Sequence, residues 1–147
     1  MKTPLIILSL LTGPWLLAQL VFPGDALRTD HFGLAGVVLA FTFFGIGHFA
    51  KTEQMVDMLP PQIPFRRAIV LATGVLEFAL ALAVALPVTR GAAGLACVTV
   101  LIGFFPANIY AAIHRRGGGG HDWGPAYLLV RFPLQVILVL WCLAFTQ

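Results

Sequence analysis

Five long apolar runs limit what this chain can become more than any other feature. They are Pro4 to Phe22, Phe32 to Ala50, Ala68 to Leu86, Ala92 to Ile113 and Ala126 to Phe145. An α-helix rises about 1.5 Å per residue, so roughly 20 apolar residues cross a hydrocarbon core. Each run is that long. None alternates as a membrane strand would, and lipid tolerates no unpaired backbone, so helices are expected. The predicted fold class is all-α, a transmembrane helix bundle. Composition agrees: 59% of residues are hydrophobic, only 10% are charged, and mean hydropathy is +0.93. An ordinary soluble domain is about 25% charged.

The net charge of +3 is no nucleic-acid signature, because most basic residues lie in short segments between apolar runs. With five spans, Lys2, Lys51, Arg66, Arg67, Arg115 and Arg116 share one side, against Arg28 and Arg90 on the other. The positive-inside rule then predicts a cytoplasmic N-terminus and a C-terminus outside; the expected location is a bacterial inner (plasma) membrane. The first run is longer than a signal-peptide core and has no clean small-x-small site after it, so it is read as a retained span.

The connections are predicted at Pro23 to His31, Lys51 to Arg67, Pro87 to Gly91 and His114 to Pro125. Pro60, Pro61 and Pro64 imply an extended path in the second. Gly117 to Gly120 read as a flexible tether, since no strand precedes them and no Lys-Ser/Thr follows. Cys97 and Cys142 lie inside apolar runs, outside any C-x-x-C pair, and read as packing residues rather than a thiol redox centre. Trp15, Trp123 and Trp141 read as interfacial or packing aromatics.

Polar side chains at membrane depth are expensive, and each is a functional-site hypothesis. Counted along the helices from the basic side, His48 lies about 3 Å deep, Asn108 and Arg131 about 8 Å, and Glu77 and Gln135 about 14 Å. Arg131 and Gln135 are four apart and share a helix face, with Tyr127 and Cys142 on the same stripe. Thr73 shares a face with Glu77. The simplest closed network is a Glu77–Arg131 ion pair completed by Asn108 and Gln135, using carbonyls freed beside Pro106 and Pro133. Such a network can equally do no more than pin helix register. His48 near the interface can equally bond headgroups or water.

The strings Gly45-Ile46-Gly47-His48-Phe49, Leu59-Pro60-Pro61-Gln62-Ile63-Pro64 and Thr73-Gly74-Val75-Leu76-Glu77 resemble the DoxX-like family of small integral membrane proteins. So do Phe105-Pro106-Ala107-Asn108-Ile109-Tyr110 and Arg131-Phe132-Pro133-Leu134-Gln135, and all five blocks follow in that family's order over residues 33 to 142. The resemblance implies a four-helix membrane domain at residues 32–147, preceded by an added transmembrane helix and loop at 1–31. It implies His48, Glu77, Asn108, Arg131 and Gln135 as recurrent polar positions. Its members are named after a subunit associated with thiosulfate:quinone oxidoreductase, and related folds include sterol isomerases and receptor-assembly chaperones.

Three functions compete. The first is a lipophilic-ligand protein, an oxidoreductase accessory subunit whose polar cluster holds the head group of a quinone or isoprenoid. No flavin, haem or metal motif is evident; His48 with His114 or His121 has no metal-ligand spacing. The second is a lipid isomerase with Glu77 as the catalytic proton carrier and His48 its sole candidate partner. The third is a non-catalytic assembly factor docking a partner membrane protein, or a second copy, through Gly33, Gly36, Gly45 and Gly47. Membrane lipid is an expected partner in each, and nucleic acid is not. A transporter is disfavoured by the short chain and lack of an inverted repeat.

Overall fold

The computed structural model describes residues 2–147. Six α-helices follow one another: α1 Lys2–Val21, α2 Ala26–Ala50, α3 Thr52–Asp57, α4 Arg66–Ala85, α5 Arg90–His114 and α6 Leu128–Phe145. A 3-10 helix, His121–Tyr127, leads into α6. Five helical segments are long and apolar enough to cross a membrane, the 3-10 helix and α6 counting as one. No strand occurs among the described residues. The fold is an all-α membrane helix bundle.

Several helices start further into their polar flanks than the apolar runs do, and at α2 a cap explains why. The predicted connection Pro23 to His31 shrinks because α2 starts at Ala26. Asp25 accepts the Arg28 backbone N–H at 3.1 Å and pairs with the Arg28 side chain at 3.1 Å. An Asp in that position satisfies a donor the first helical turn leaves free. At the opposite turn, Thr89 Oγ1 donates to the Ala83 carbonyl at 2.6 Å and Arg90 Nε to the Val84 carbonyl at 3.3 Å. Two carbonyls in the last turn of α4 are thereby answered by the residues that start α5.

Two connections differ from expectation. The segment after Lys51 is not extended throughout, because α3 forms before the prolines are reached. Its first turn is held by Thr52 Oγ1 donating to the His48 carbonyl at 2.8 Å, and Glu53 of α3 pairs with Arg67 of α4. Nor are Gly117 to Gly120 a free tether. All four sit at positive φ, between 64° and 117°, and the turn packs against Gln54 and Met58. Only glycine enters that region without steric penalty, so four in a row define a tight turn. Gly124 goes further, with φ 70° and ψ −151°, a region essentially reserved for glycine. Gly124→Ala is expected to lower stability by about 1–3 kcal/mol, read as a fall in the thermal midpoint of the detergent-purified protein.

Inside lipid, the hydrophobic effect does not hold helices together; close packing and interhelical hydrogen bonds do. Helix α2 lies against α1, α4 and α6, while α5 packs on α6 and the 3-10 helix. Small residues set the closest approaches. A Cβ on Gly36 would strike the Leu11 carbonyl, one on Gly94 the Thr146 side chain, and one on Gly45 the Phe78 ring at 2.9 Å. Gly33 packs against Phe145, and a Cβ on Gly47 would stand 3.2 Å from Met55. The four glycines expected to admit a partner therefore serve contacts within the chain. Leu11, Val37, Phe41, Val84, Cys97, Leu138 and Cys142 fill the core, the two cysteines as free thiols. Trp15 meets Trp141 edge-on at 5.7 Å, and Trp141 Nε1 donates to the Gly33 carbonyl at 3.0 Å, so both are packing aromatics. Trp123 is exposed at the basic end.

Candidate functional site

Helices α2 and α4 meet at Gly74, whose missing side chain leaves room for His48 Cβ only 2.6 Å from where its own Cβ would stand. That approach brings the His48 ring against α4. Its Nδ1 donates to the Val70 carbonyl at 2.8 Å and lies 3.1 Å from Thr73 Oγ1. A carbonyl can only accept, so Nδ1 carries a proton and Nε2 is left facing Glu77. Nε2 lies 3.2 Å from Glu77 Oε2, with the two side chains 12% and 4% exposed. Oε2 is a buried acceptor with no hydrogen bond.

This replaces the expected Glu77–Arg131 ion pair. Helix α4 packs on α2 and α5, whereas Arg131 rides on α6, which packs on α5 and α2. The acid therefore meets a side chain of α2 first. His48 is correspondingly drawn away from the interface role it could have played. Arg131 acts on Glu77 through its field rather than by contact.

Asn108 and Gln135 are buried but do not close one network with Glu77. Asn108 Nδ2 donates to the Phe104 carbonyl of its own helix at 2.9 Å. Gln135 Nε2 donates across to the Leu101 carbonyl of α5 at 2.6 Å, tying α6 to α5. Pro106 lacks the N–H that would bond Ile102, yet the carbonyls used are those of Leu101 and Phe104 on either side. The proline opens the local ladder, and the two amides work at its edges.

Arg131 belongs to a second group that sequence reasoning only half assembled. The turn of glycines and the 3-10 helix bring His121 onto Tyr127, ring centroids 4.8 Å apart, within the field of Arg131. His121 Nδ1 donates to the Gly118 carbonyl at 2.7 Å, which leaves Nε2 as the free position. His121 Nε2 and Arg131 Nε are both buried without a hydrogen-bond partner. Tyr127 was visible on the Arg131 stripe. His121 was hidden by its place in what read as a loose loop; its nearness to four glycines was the available signal.

The five expected positions thus fall into a His48–Glu77 pair, two amides bonded to α5 carbonyls, and an Arg131 group enlarged by His121 and Tyr127. Among the described residues, no three His, Cys, Asp or Glu side chains are grouped to hold a metal ion. No curated protein and no solved structure matches the chain. One family model does match, over residues 37–146, from the middle of α2 to the end of α6 and without α1. The chain is a member of the family described as a domain of unknown function (DUF8561).

Proposed function

We propose that this integral membrane protein holds a lipophilic ligand, a quinone or an isoprenoid, with its head group among Arg131, His121 and Glu77. The observation that carries the reading is the set of three buried polar atoms without a hydrogen-bond partner: Glu77 Oε2, His121 Nε2 and Arg131 Nε. Leaving such an atom unpaired costs about 1–3 kcal/mol, and more for a charged group. Glu77 Oε2 has His48 Nε2 at 3.2 Å, so the His121 and Arg131 atoms are the two most in need of a polar partner. Arg131 Nε is a donor, and His121 Nε2, in the neutral ring, is an acceptor. A hydroxyl can answer either, as in quinols and isoprenoid alcohols, and a quinone carbonyl can accept from Arg131, while the apolar helices hold the tail. The motif order that resembles the DoxX-like family favours the same class, and with it a role as an oxidoreductase accessory subunit. The basic end faces the cytoplasm of a bacterial inner membrane in this reading.

The test is lipid extraction from the purified protein, followed by mass spectrometry. The expected result is a quinone or isoprenoid enriched over the bulk membrane, falling about tenfold in Arg131→Leu, as loss of about 1.4 kcal/mol implies. A lipid profile equal to bulk membrane, or one unchanged in the variant, overturns the reading.

A second reading, a lipid isomerase, draws on the His48–Glu77 contact at 3.2 Å. A double-bond shift adds one proton and removes another, and a carboxyl beside an imidazole can do both. Deuterium from solvent should then enter an added isoprenoid, and the Glu77→Gln variant should abolish that incorporation. A non-catalytic assembly factor would show neither effect.

A further inference from the structure

The seam between α3 and the start of α4 holds a groove of about 660 Å³ that lies apart from the Glu77 and Arg131 groups. Its walls are apolar, from Val56, Pro61, Ile63, Ala68 and Leu71, and its charged lining is Arg66 and Arg67. Arg67 is already paired with Glu53. Arg66 is half-buried, and its Nη1 donates weakly to the Leu59 carbonyl at 3.4 Å. A guanidinium has five donors in a planar fork that suits a phosphate. Most of that fork remains for another acceptor.

One further lining residue is aromatic. Phe65 adopts a left-handed conformation, φ 53° and ψ 31°, and is 83% exposed. That conformation costs a residue with a side chain roughly 1–2 kcal/mol, and here it aims an aromatic ring outward beside the groove. The neighbouring prolines stiffen the loop, with Ile63 N–H bonded to the Pro60 carbonyl at 3.1 Å. Helix α4 begins its membrane crossing at Arg66, so groove and ring lie at headgroup level. Aromatic rings favour that level. Alternation of the spans also puts Lys2, Lys51, Arg115 and Arg116 at this end, six basic residues with Glu53, Asp57 and Asp122 as its acids.

We infer that this groove is a binding site for an anionic phospholipid, with the headgroup phosphate on Arg66 and an acyl chain along Ala68 and Leu71. Charge complementarity selects an anionic lipid over a zwitterionic one. The apolar walls select a lipid over free phosphate, which could use the arginine but would leave them unfilled. Phe65 closes the outer side at the level of the glycerol backbone.

The site is tested on the full chain, delipidated in neutral detergent, by its thermal midpoint and by native mass spectrometry of retained lipid. Dioleoyl phosphatidylglycerol should raise the midpoint by about 4 °C or more, and one lipid should remain bound. Dioleoyl phosphatidylcholine and inorganic phosphate should each do neither. Arg66→Gln should remove the phosphatidylglycerol effect. Ile63→Glu, which introduces repulsion without touching the arginine, should remove it as well if Arg66→Gln does not fold. Equal shifts from the two lipids, a shift from phosphate alone, or a phosphatidylglycerol effect that survives Ile63→Glu overturns the proposal.

Discussion

Replacing His48 by leucine is expected to destabilise the bundle by about 3 kcal/mol or more, the size of effect seen when one member of a buried pair is removed. His48 Nε2 is the group facing Glu77 Oε2, and that oxygen has no hydrogen bond from elsewhere. Without the imidazole, the Glu77 carboxyl is left unpaired in the core. A neutral interhelical hydrogen bond in a membrane is worth only about 0.6–2 kcal/mol, so a larger loss identifies the interaction as one between charges. Glu77→Gln, whose amide can still donate to Nε2, should cost about 1 kcal/mol. The double variant His48→Leu/Glu77→Leu should recover much of the loss, because it leaves no orphan. Thermal or denaturant unfolding in detergent reads all three. A double variant as unstable as the sum of its singles would show that the two residues act separately.

Gly36→Val is expected to separate α1 from α2, at a cost of about 3 kcal/mol, the upper end for overpacking. The added Cβ would fall on the Leu11 carbonyl oxygen, and a backbone atom in mid-helix has nowhere to go. Displacing α1 would also break the edge-on contact of Trp15 with Trp141, so tryptophan fluorescence should change with stability. Gly13→Ala is the control. Nothing lies within 4 Å of a Cβ there, and alanine in a helix is favoured over glycine by about 1 kcal/mol. It should leave the fold intact or strengthen it. Undisturbed unfolding of Gly36→Val would mean that α1 does not dock as described.

How much could be read in advance depends on which force acts. Apolar run length predicts spanning helices because lipid leaves the backbone no alternative, and all five runs are helical. Boundaries were less legible: Asp25 caps α2 well before Phe32, and α3 forms in a segment where prolines suggested an extended path. The glycine run is ambiguous in sequence because four glycines fit a flexible linker and a tight left-handed turn equally well. Only the packing of Gln54, Met58 and Tyr127 around it separates the two.

The candidate site shows the same division. Burial of Glu77, Asn108 and Gln135 follows from sequence, since polar groups in long apolar runs turn inward. Their partners do not. Residue spacing describes one helix at a time, so it put Arg131 and Gln135 on one face but could not say which helix stands opposite Glu77. Helix packing decided that: Gly74 admits α2 to α4, and the acid meets His48 instead of Arg131. It also folded His121 back onto Tyr127 beside Arg131. The sequence by itself therefore determined a five-span helical membrane protein with buried polar groups. The tertiary structure alone decided which of those groups face one another, because that rests on contacts between helices distant along the chain.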